Sequence, residues 1–420
     1  MTNREYQRLQ QIFQELSRAE SRFELLKIWH RHRNQLTDCR LLIANSNDDP
    51  FQLRAVFSHS SLKPLFAGES FIFLDNSSVH YHNSGEFQPI SLDPCIVLDT
   101  NLIAQINGFI NGKPVNKTKD ILEFVMTKPF YYGFYAIEEY ENYISGQNHF
   151  QIKQKLKAVR LFEHINEEKY RSSLGQEIDF QISLQEASNW AEKKFFEMFS
   201  AQSLPYLVNL KNAIYLLLLK VSEIELSSKN TRLDAETKIL KLYDFMQTVL
   251  KILLGKEIYL ITMYFEKNAE LRNNGSSFFD PLQTSNKKLL QDLNGMARDL
   301  TILRTIERMP DLSNQADILL PYFVSRDERL NHVCDLLPKI SKIFFYDKEE
   351  GSKFMSEWEN RHTIMSEMQS KPYWKKIRWF YEPDAQQQRE KAQHEDSQVQ
   401  NLEFVANIRE LEGAVESLLQ

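Results

Sequence analysis

The run Pro94-Cys-Ile-Val-Leu-Asp99-Thr-Asn101 places the tightest constraint on the fold. A short apolar stretch bounded by proline and ended by an acid reads as a strand buried on both faces, the pattern of a parallel sheet. A mixed α/β class follows. The 420 residues contain only 12 Gly and 13 Pro. That scarcity disfavours a glycine-looped β architecture and predicts a helix-rich chain around a small, mainly parallel sheet.

The rest of the chain is read by apolar spacing. Leu9, Phe13 and Leu16 predict helix within residues 1–35. Ser70–Leu74 and Ser78–His82 are β-like runs on either side of an Asp75–Asn76 turn. Residues 120–145 read as helix, with Pro129 in a first turn. A long helical block covers 150–285, and Ser183-Leu-Gln-Glu186 is a capping box opening one of its helices. Leu289, Leu293, Met296, Leu300 and Leu303 give an amphipathic helix over Lys287–Met309. Strands are expected at Leu320–Ser325 and Lys342–Tyr346, with a helix at Glu328–Leu337 between them. Pro383–Gln400 is polar and reads as a linker or solvated helix, followed by an amphipathic tail helix. The expected division is an N-terminal helix and small β region (1–90), a core formed by 91–149 and 286–350, an all-α insertion (150–285), and a C-terminal helical and linker region (351–420).

Charge and cysteine content exclude several classes. The formal net charge is −6, so any contact with nucleic acid must come from local basic patches. Cys39, Cys95 and Cys334 lie far apart without metal or redox spacing, as reduced intracellular thiols do. The polar N-terminus carries no signal peptide, and lysines flank or interrupt the apolar runs Ala213–Leu219 and Ile252–Phe265. A cytoplasmic protein without membrane spans is expected.

Three acids stand where chemistry is placed in α/β folds. Asp99 and Asp327 follow the apolar strand candidates Ile96–Leu98 and Phe323–Ser325. Ligands of open parallel sheets gather beyond the carboxyl ends of the strands, and right-handed crossovers bring those ends to one side. Asp299 lies three residues after Met296 and four before Leu303, within or beside the buried stripe of its helix. A buried carboxylate requires a partner, and several together raise one another's pKa. A divalent cation satisfies both conditions. Oxygen-only ligands select Mg²⁺ or Mn²⁺, ions that assist phosphodiester hydrolysis.

These segments resemble the PIN-domain nucleases. Ile-Val-Leu-Asp99-Thr-Asn101 is similar to the family's opening strand, Met-Ala-Arg-Asp299-Leu to its later acid-bearing helix, and Tyr-Phe-Val-Ser325-Arg-Asp327 to the strand where Ser or Thr precedes Asp by two. The following helix and the strand Ile343–Tyr346 fit the family's closing βαβ order. The resemblance covers about residues 92–145 and 287–347, and the intervening helical block departs from a minimal PIN domain. It implies a fourth acid in Tyr135-Ala-Ile-Glu138-Glu139-Tyr140, with Glu138 chosen and Glu139 a close second. It further implies that Asp99, Glu138, Asp299 and Asp327 bind Mg²⁺ or Mn²⁺ and that Asn101 and Ser325 support them. The implied substrate is RNA, with DNA an alternative. Large relatives act as toxins or defence effectors, which implies an inhibitor or antitoxin partner.

Other signals are weaker. Gly108–Pro114 lacks the spacing of a phosphate loop. His80 and His82 share a face if extended, but no third ligand accompanies them. His30 to Arg33 form a basic knot that reads as a solvated helix end, and Phe130–Tyr135 reads as core. Trp374, Lys375, Lys376 and Arg378 interleave aromatics with bases, as in single-strand nucleic-acid surfaces or in an amphipathic segment docked on a core. The expected function is a metal-dependent endoribonuclease. The alternatives are a non-catalytic helical adaptor and an inactive PIN-like nucleic-acid-binding protein.

Overall fold

The computed structural model describes residues 3–19, 21–45, 53–54, 59, 61–79, 91–113, 115, 118–272, 277–283, 288–307, 309, 317–346, 353–359, 361–394 and 397–419. It is helix-rich with small sheets, an α/β class. The chain divides into two compact units. The first comprises Met1–Ile96, Ile306–Phe323 and Pro338–Thr363, and the second Val97–Thr305, Val324–Leu337 and Ile364–Gln420.

In the first unit, α1 (Asn3–Arg18) and α2 (Arg22–His32) precede strands β1 (Cys39–Asn45), β2 (Leu53–Arg54), β3 (Leu62–Pro64), β4 (Ser70–Leu74) and β5 (Ser91–Leu98). The second unit begins with α3 (Thr100–Ile110), α4 (Lys119–Val125), β6 (Phe130–Tyr131), α5 (Tyr135–Ile144), α6 (His149–Glu163), α7 (Glu167–Ser172) and α8 (Leu184–Phe199). It continues through α9 (Leu204–Thr231), α10 (Ala235–Phe245), α11 (Gly255–Phe265) and α12 (Leu289–Ile306). Next in the chain, β7 (Asp317–Val324) as far as Phe323, β8 (Ile340–Tyr346) and β9 (Lys353–Trp358) belong to the first unit, and α13 (Glu328–Leu336) belongs to the second. The C-terminal helices are α14 (Arg361–Ser370), α15 (Trp374–Ile377), α16 (Pro383–His394) and α17 (Ser397–Leu419).

A five-stranded sheet has the order β2-β4-β1-β8-β9. Every pairing in it is antiparallel, which corrects the expectation of a mainly parallel sheet. The side-chain period of two explains the arrangement. Cys39 faces Tyr346, Leu41 faces Phe344 and Leu74, and Ile43 faces Ile72. All of these side chains join one core with Leu9, Phe13 and Leu16 of α1 and Trp29 of α2. The strand expected to close the acid-bearing sheet is therefore spent elsewhere. Phe344 and Tyr346 complete the apolar face opposite α1 and α2, and β8 pairs with β1 and β9.

A second sheet has the order β3-β7-β5-β6. Here β5 and β7 are neighbours, and the Asp99 N–H just beyond β5 donates to the Val324 carbonyl at the end of β7. The two strands end together and so run parallel, which places both chain exits on one side.

Two local expectations fail for identifiable reasons. Ser78 opens a helical turn rather than a strand, because Asp75 Oδ1 accepts from Ser78 N and Ser77 Oγ. His80 and His82 lie outside the described residues. The helix predicted over 120–145 divides into α4 and α5, with Pro129 opening the extended Phe130–Tyr131 segment instead of a first turn.

The interior of the second unit is organised around α9. Ala213, Ile214 and Leu216 to Leu219 are all fully buried, on every side of the helix. Residues Leu204–Lys229 have the length and apolarity to cross a membrane, but here the helix is a core element. Lys211 donates to Glu141 at 2.9 Å, and Tyr215 Oη donates to Glu412 of α17 at 2.8 Å. Pro205 occupies the first turn of α9, where its missing N–H costs nothing.

The sequence-predicted cap at Ser183 is present, its Oγ accepting from Glu186 N at 3.1 Å. Ser183→Ala is expected to destabilise the second unit by about 1 kcal/mol in chemical denaturation.

Candidate acid site

The carboxyl ends of β5 and β7 generate the site. The extended backbone stops at Leu98, and Asp99 becomes the N-cap residue of α3 without making a side-chain cap bond. Its carboxylate is 1 % exposed. Oδ2 accepts from Ser325 Oγ at 2.7 Å and from Asn101 Nδ2 at 3.2 Å, and Oδ1 accepts from Thr100 Oγ1 at 3.4 Å. Three neutral donors thus hold the carboxylate in place without neutralising it.

Ser325 joins the two strand ends. It is buried, donates to Asp99, and accepts from Asp327 N at 3.0 Å. Asn331 Nδ2 of α13 binds the Ser325 carbonyl at 3.0 Å, which fixes the turn from the other side. Asp327 caps α13, with Oδ1 accepting from Arg329 N at 2.8 Å and Leu330 N at 3.2 Å. Both cap bonds fall on one oxygen, and the carboxylate is about one-third exposed (32 %).

Asp299 on α12 and Glu138 on α5 complete the group. Burial pushes the Asp299 carboxyl well above the usual range, and the neighbouring Asp99 charge adds to the rise. Arg298 opposes the rise, while Asp327 and Glu138 push it further. Four acids from four elements therefore share one electrostatic environment. Arg298 Nη1 lies 3.7 Å from Glu138 Oε1, whereas Glu138 Oε2 is buried without a hydrogen-bond partner.

The structure distinguishes Glu138 from Glu139. Glu139 accepts from Tyr135 Oη at 2.8 Å, Asn142 Nδ2 at 2.6 Å and Lys155 Nζ at 3.2 Å. Burial alone would raise its pKa, but those three partners outweigh burial and lower it. Both Glu139 oxygens are bonded within the fold, whereas Glu138 has, among the described residues, only Arg298 Nη1 at 3.7 Å.

The sequence reading did not single out Arg298. A base immediately before an acid on a buried stripe was the available signal. A carboxyl placed among other acids needs a cation nearby, and the side chain preceding Asp299 supplies it.

The donor chemistry fits a hard divalent cation, with carboxylate oxygens only and one buried oxygen left unbonded. As the side chains stand, no group of three or more His, Cys, Asp or Glu among the described residues is arranged to hold a metal. Asp327 is drawn toward its helix cap and Glu138 toward Arg298.

The segment expected to touch nucleic acid is largely engaged within the protein. Trp374 stacks on Tyr381 with ring centres 5.4 Å apart, and Lys376 pairs with Glu236 at 2.6 Å. Tyr373, Ile377 and Phe380 are buried. Lys375, Lys376 and Arg378 keep exposed side chains, so the aromatic residues of the segment dock inward while its bases face solvent.

The raised Asp299 pKa has a defined consequence for stability. An acid with a raised folded pKa favours the fold fully below its unfolded value of about 4, and that contribution is lost as pH rises through the folded pKa. Without metal, Asp299→Asn should melt at a higher temperature than the wild-type chain. The gap should widen from pH 5 to pH 8 in thermal melts. A gap independent of pH would show that Asp299 titrates normally.

Scans against protein-family models, curated proteins and solved structures find no match to this chain.

Proposed function

We propose that the chain is a divalent-metal-dependent nuclease acting on RNA, with a PIN-like acid site formed by Asp99, Glu138, Asp299 and Asp327. The observation that carries this reading is the buried Asp99 carboxylate, tied through Ser325 Oγ to the Asp327 backbone at the joined ends of β5 and β7. The Asp299 carboxyl is pushed up first by burial and then by the Asp99 charge. Such an arrangement costs stability, and a bound cation offsets the cost.

Asp99 and Asp327, held at the strand ends through Ser325, would be the principal ligands of Mg²⁺ or Mn²⁺, with Asp299 and Glu138 completing the set. The bound ion would supply Lewis-acid activation of water and of the scissile phosphate. The protein groups do the remaining work. Ser325 and Asn101 orient the Asp99 carboxylate, and Arg298 balances charge beside Glu138 and Asp299.

A second reading has an observation in its favour. Asp327 serves as a helix cap, which suits an inactive PIN-like scaffold. Two measurements on the full chain separate the readings. The nuclease should cut labelled single-stranded RNA in the presence of Mn²⁺ or Mg²⁺, and its melting temperature should rise with Mn²⁺. A chain that neither cuts nor shifts would be the inactive scaffold or a helical adaptor.

A further inference from the structure

Exposed aromatic rings and lysines also stand together on a second surface. Phe150 at the start of α6 is 69 % exposed, and Phe196 near the end of α8 is 59 % exposed. Lys153 relates them. It lies three residues after Phe150 on the same helical face, and its Nζ stands 5.6 Å from the centre of the Phe196 ring. The same ammonium is 5.0 Å from the Phe195 ring.

Beneath these side chains the support is rigid. Tyr143 stacks on Phe199 at 4.2 Å with the rings 3° from parallel, and His149 packs on Phe195 at 5.0 Å. His149 Nε2 also bonds the Tyr143 carbonyl at 2.9 Å. Phe196 sits edge-on to Phe195 at 5.4 Å, so this exposed ring stands on the packed cluster, where its exposure has no folding benefit.

The surrounding charge indicates an anionic occupant. Lys157 continues the Phe150–Lys153 stripe by another turn, and Lys193 lies three residues before Phe196 on the same face of α8. Lys153 pairs with Glu192 at 2.6 Å, and Lys193 and Lys194 share Glu197 at 3.5 and 3.8 Å. With Lys157, four lysines therefore outnumber two glutamates on this surface, on a chain whose net charge is −6. Exposed rings interleaved with lysines match the chemistry of a single-stranded nucleic acid, whose bases stack on aromatics while its phosphates meet the cations.

The surface also has a structural route to the acid site. Glu138 lies in the first turn of α5, and Ile144, which is 64 % exposed, ends it. Six residues of helix span about 9 Å, a distance that two nucleotides of an extended strand can cross.

We propose that Phe150 and Phe196, with Lys153, Lys157 and Lys193, form a stacking platform for single-stranded RNA. The identity of the strand as RNA rests on the nuclease reading, but the surface itself does not. The test is fluorescence anisotropy of a labelled 15-nucleotide oligouridine on the full chain in EDTA, where no cleavage occurs.

The double variant Phe150→Ala/Phe196→Ala should bind at least tenfold more weakly at an unchanged melting temperature. Lys153→Glu/Lys193→Glu should weaken binding and flatten its dependence on salt. The platform is overturned if wild type does not bind the oligonucleotide, or if both double variants bind as wild type does. In either case, an intact Mn²⁺-induced melting shift would leave the acid-site reading standing, and the rings would be a docking face for another protein.

Discussion

Asp99→Asn is expected to abolish Mn²⁺-dependent RNA cleavage and to remove the Mn²⁺-induced rise in melting temperature. Asp99 is the most buried of the four acids and is held by the Ser325, Asn101 and Thr100 side chains. Asparagine preserves its shape, so loss of function with an intact fold isolates the charge. The loss should exceed the ~10- to 100-fold that follows removal of a group bonded to a ligand.

Ser325→Ala falls within that smaller range. It removes the hydroxyl that donates to Asp99 and accepts from Asp327 N, but leaves both carboxylates in place. Isothermal titration with Mn²⁺ and single-turnover cleavage should rank wild type above Ser325→Ala, and Ser325→Ala above Asp99→Asn. An Asp99→Asn protein that still binds Mn²⁺ like wild type would remove the acid site from consideration.

Trp29→Ala is the substitution with the largest expected effect on stability. Trp29 is fully buried in the core shared by α1, α2 and the five-stranded sheet, and its indole Nε1 donates to Asn76 Oδ1 at 3.2 Å. Replacing such a ring with alanine costs about 3–5 kcal/mol, against a total stability of about 5–15 kcal/mol for a typical domain. The first unit should therefore unfold at a much lower denaturant concentration. Trp29→Phe retains most of the apolar area and should lose only about 1–2 kcal/mol, largely through the unsatisfied Asn76 side chain. Urea titration followed by circular dichroism resolves the two variants. A loss below about 1 kcal/mol for Trp29→Ala would show that the ring is not part of the cooperative core.

Local sequence determined most of the helices. Apolar spacing located α1 and α12, the Ser183 cap located the start of α8, and the acid-terminated runs located β5 and β7. These features depend on neighbours within a turn or two, which a single sequence records. The same locality explains why Asp99 and Asp327 could be selected as strand-end acids.

Partnership between distant segments was not legible. Nothing within Ile340–Tyr346 states that it pairs antiparallel with Cys39–Asn45, because a strand's register is set by the whole apolar face it completes. The same applies to the 371–379 segment, whose Trp374 and Lys376 are claimed by Tyr381 and Glu236.

The sequence alone placed Asp99 and Asp327 just beyond strands, and Glu138 and Asp299 on helices. Tertiary structure decided that Glu139 is consumed by Tyr135, Asn142 and Lys155 while Glu138 meets Arg298. Burial, and after it the Asp99 charge, pushes the Asp299 carboxyl up, an effect of packing that no local segment records. Adjacent residues on a helix point about 100° apart, so only the packing around α5 could choose between Glu138 and Glu139.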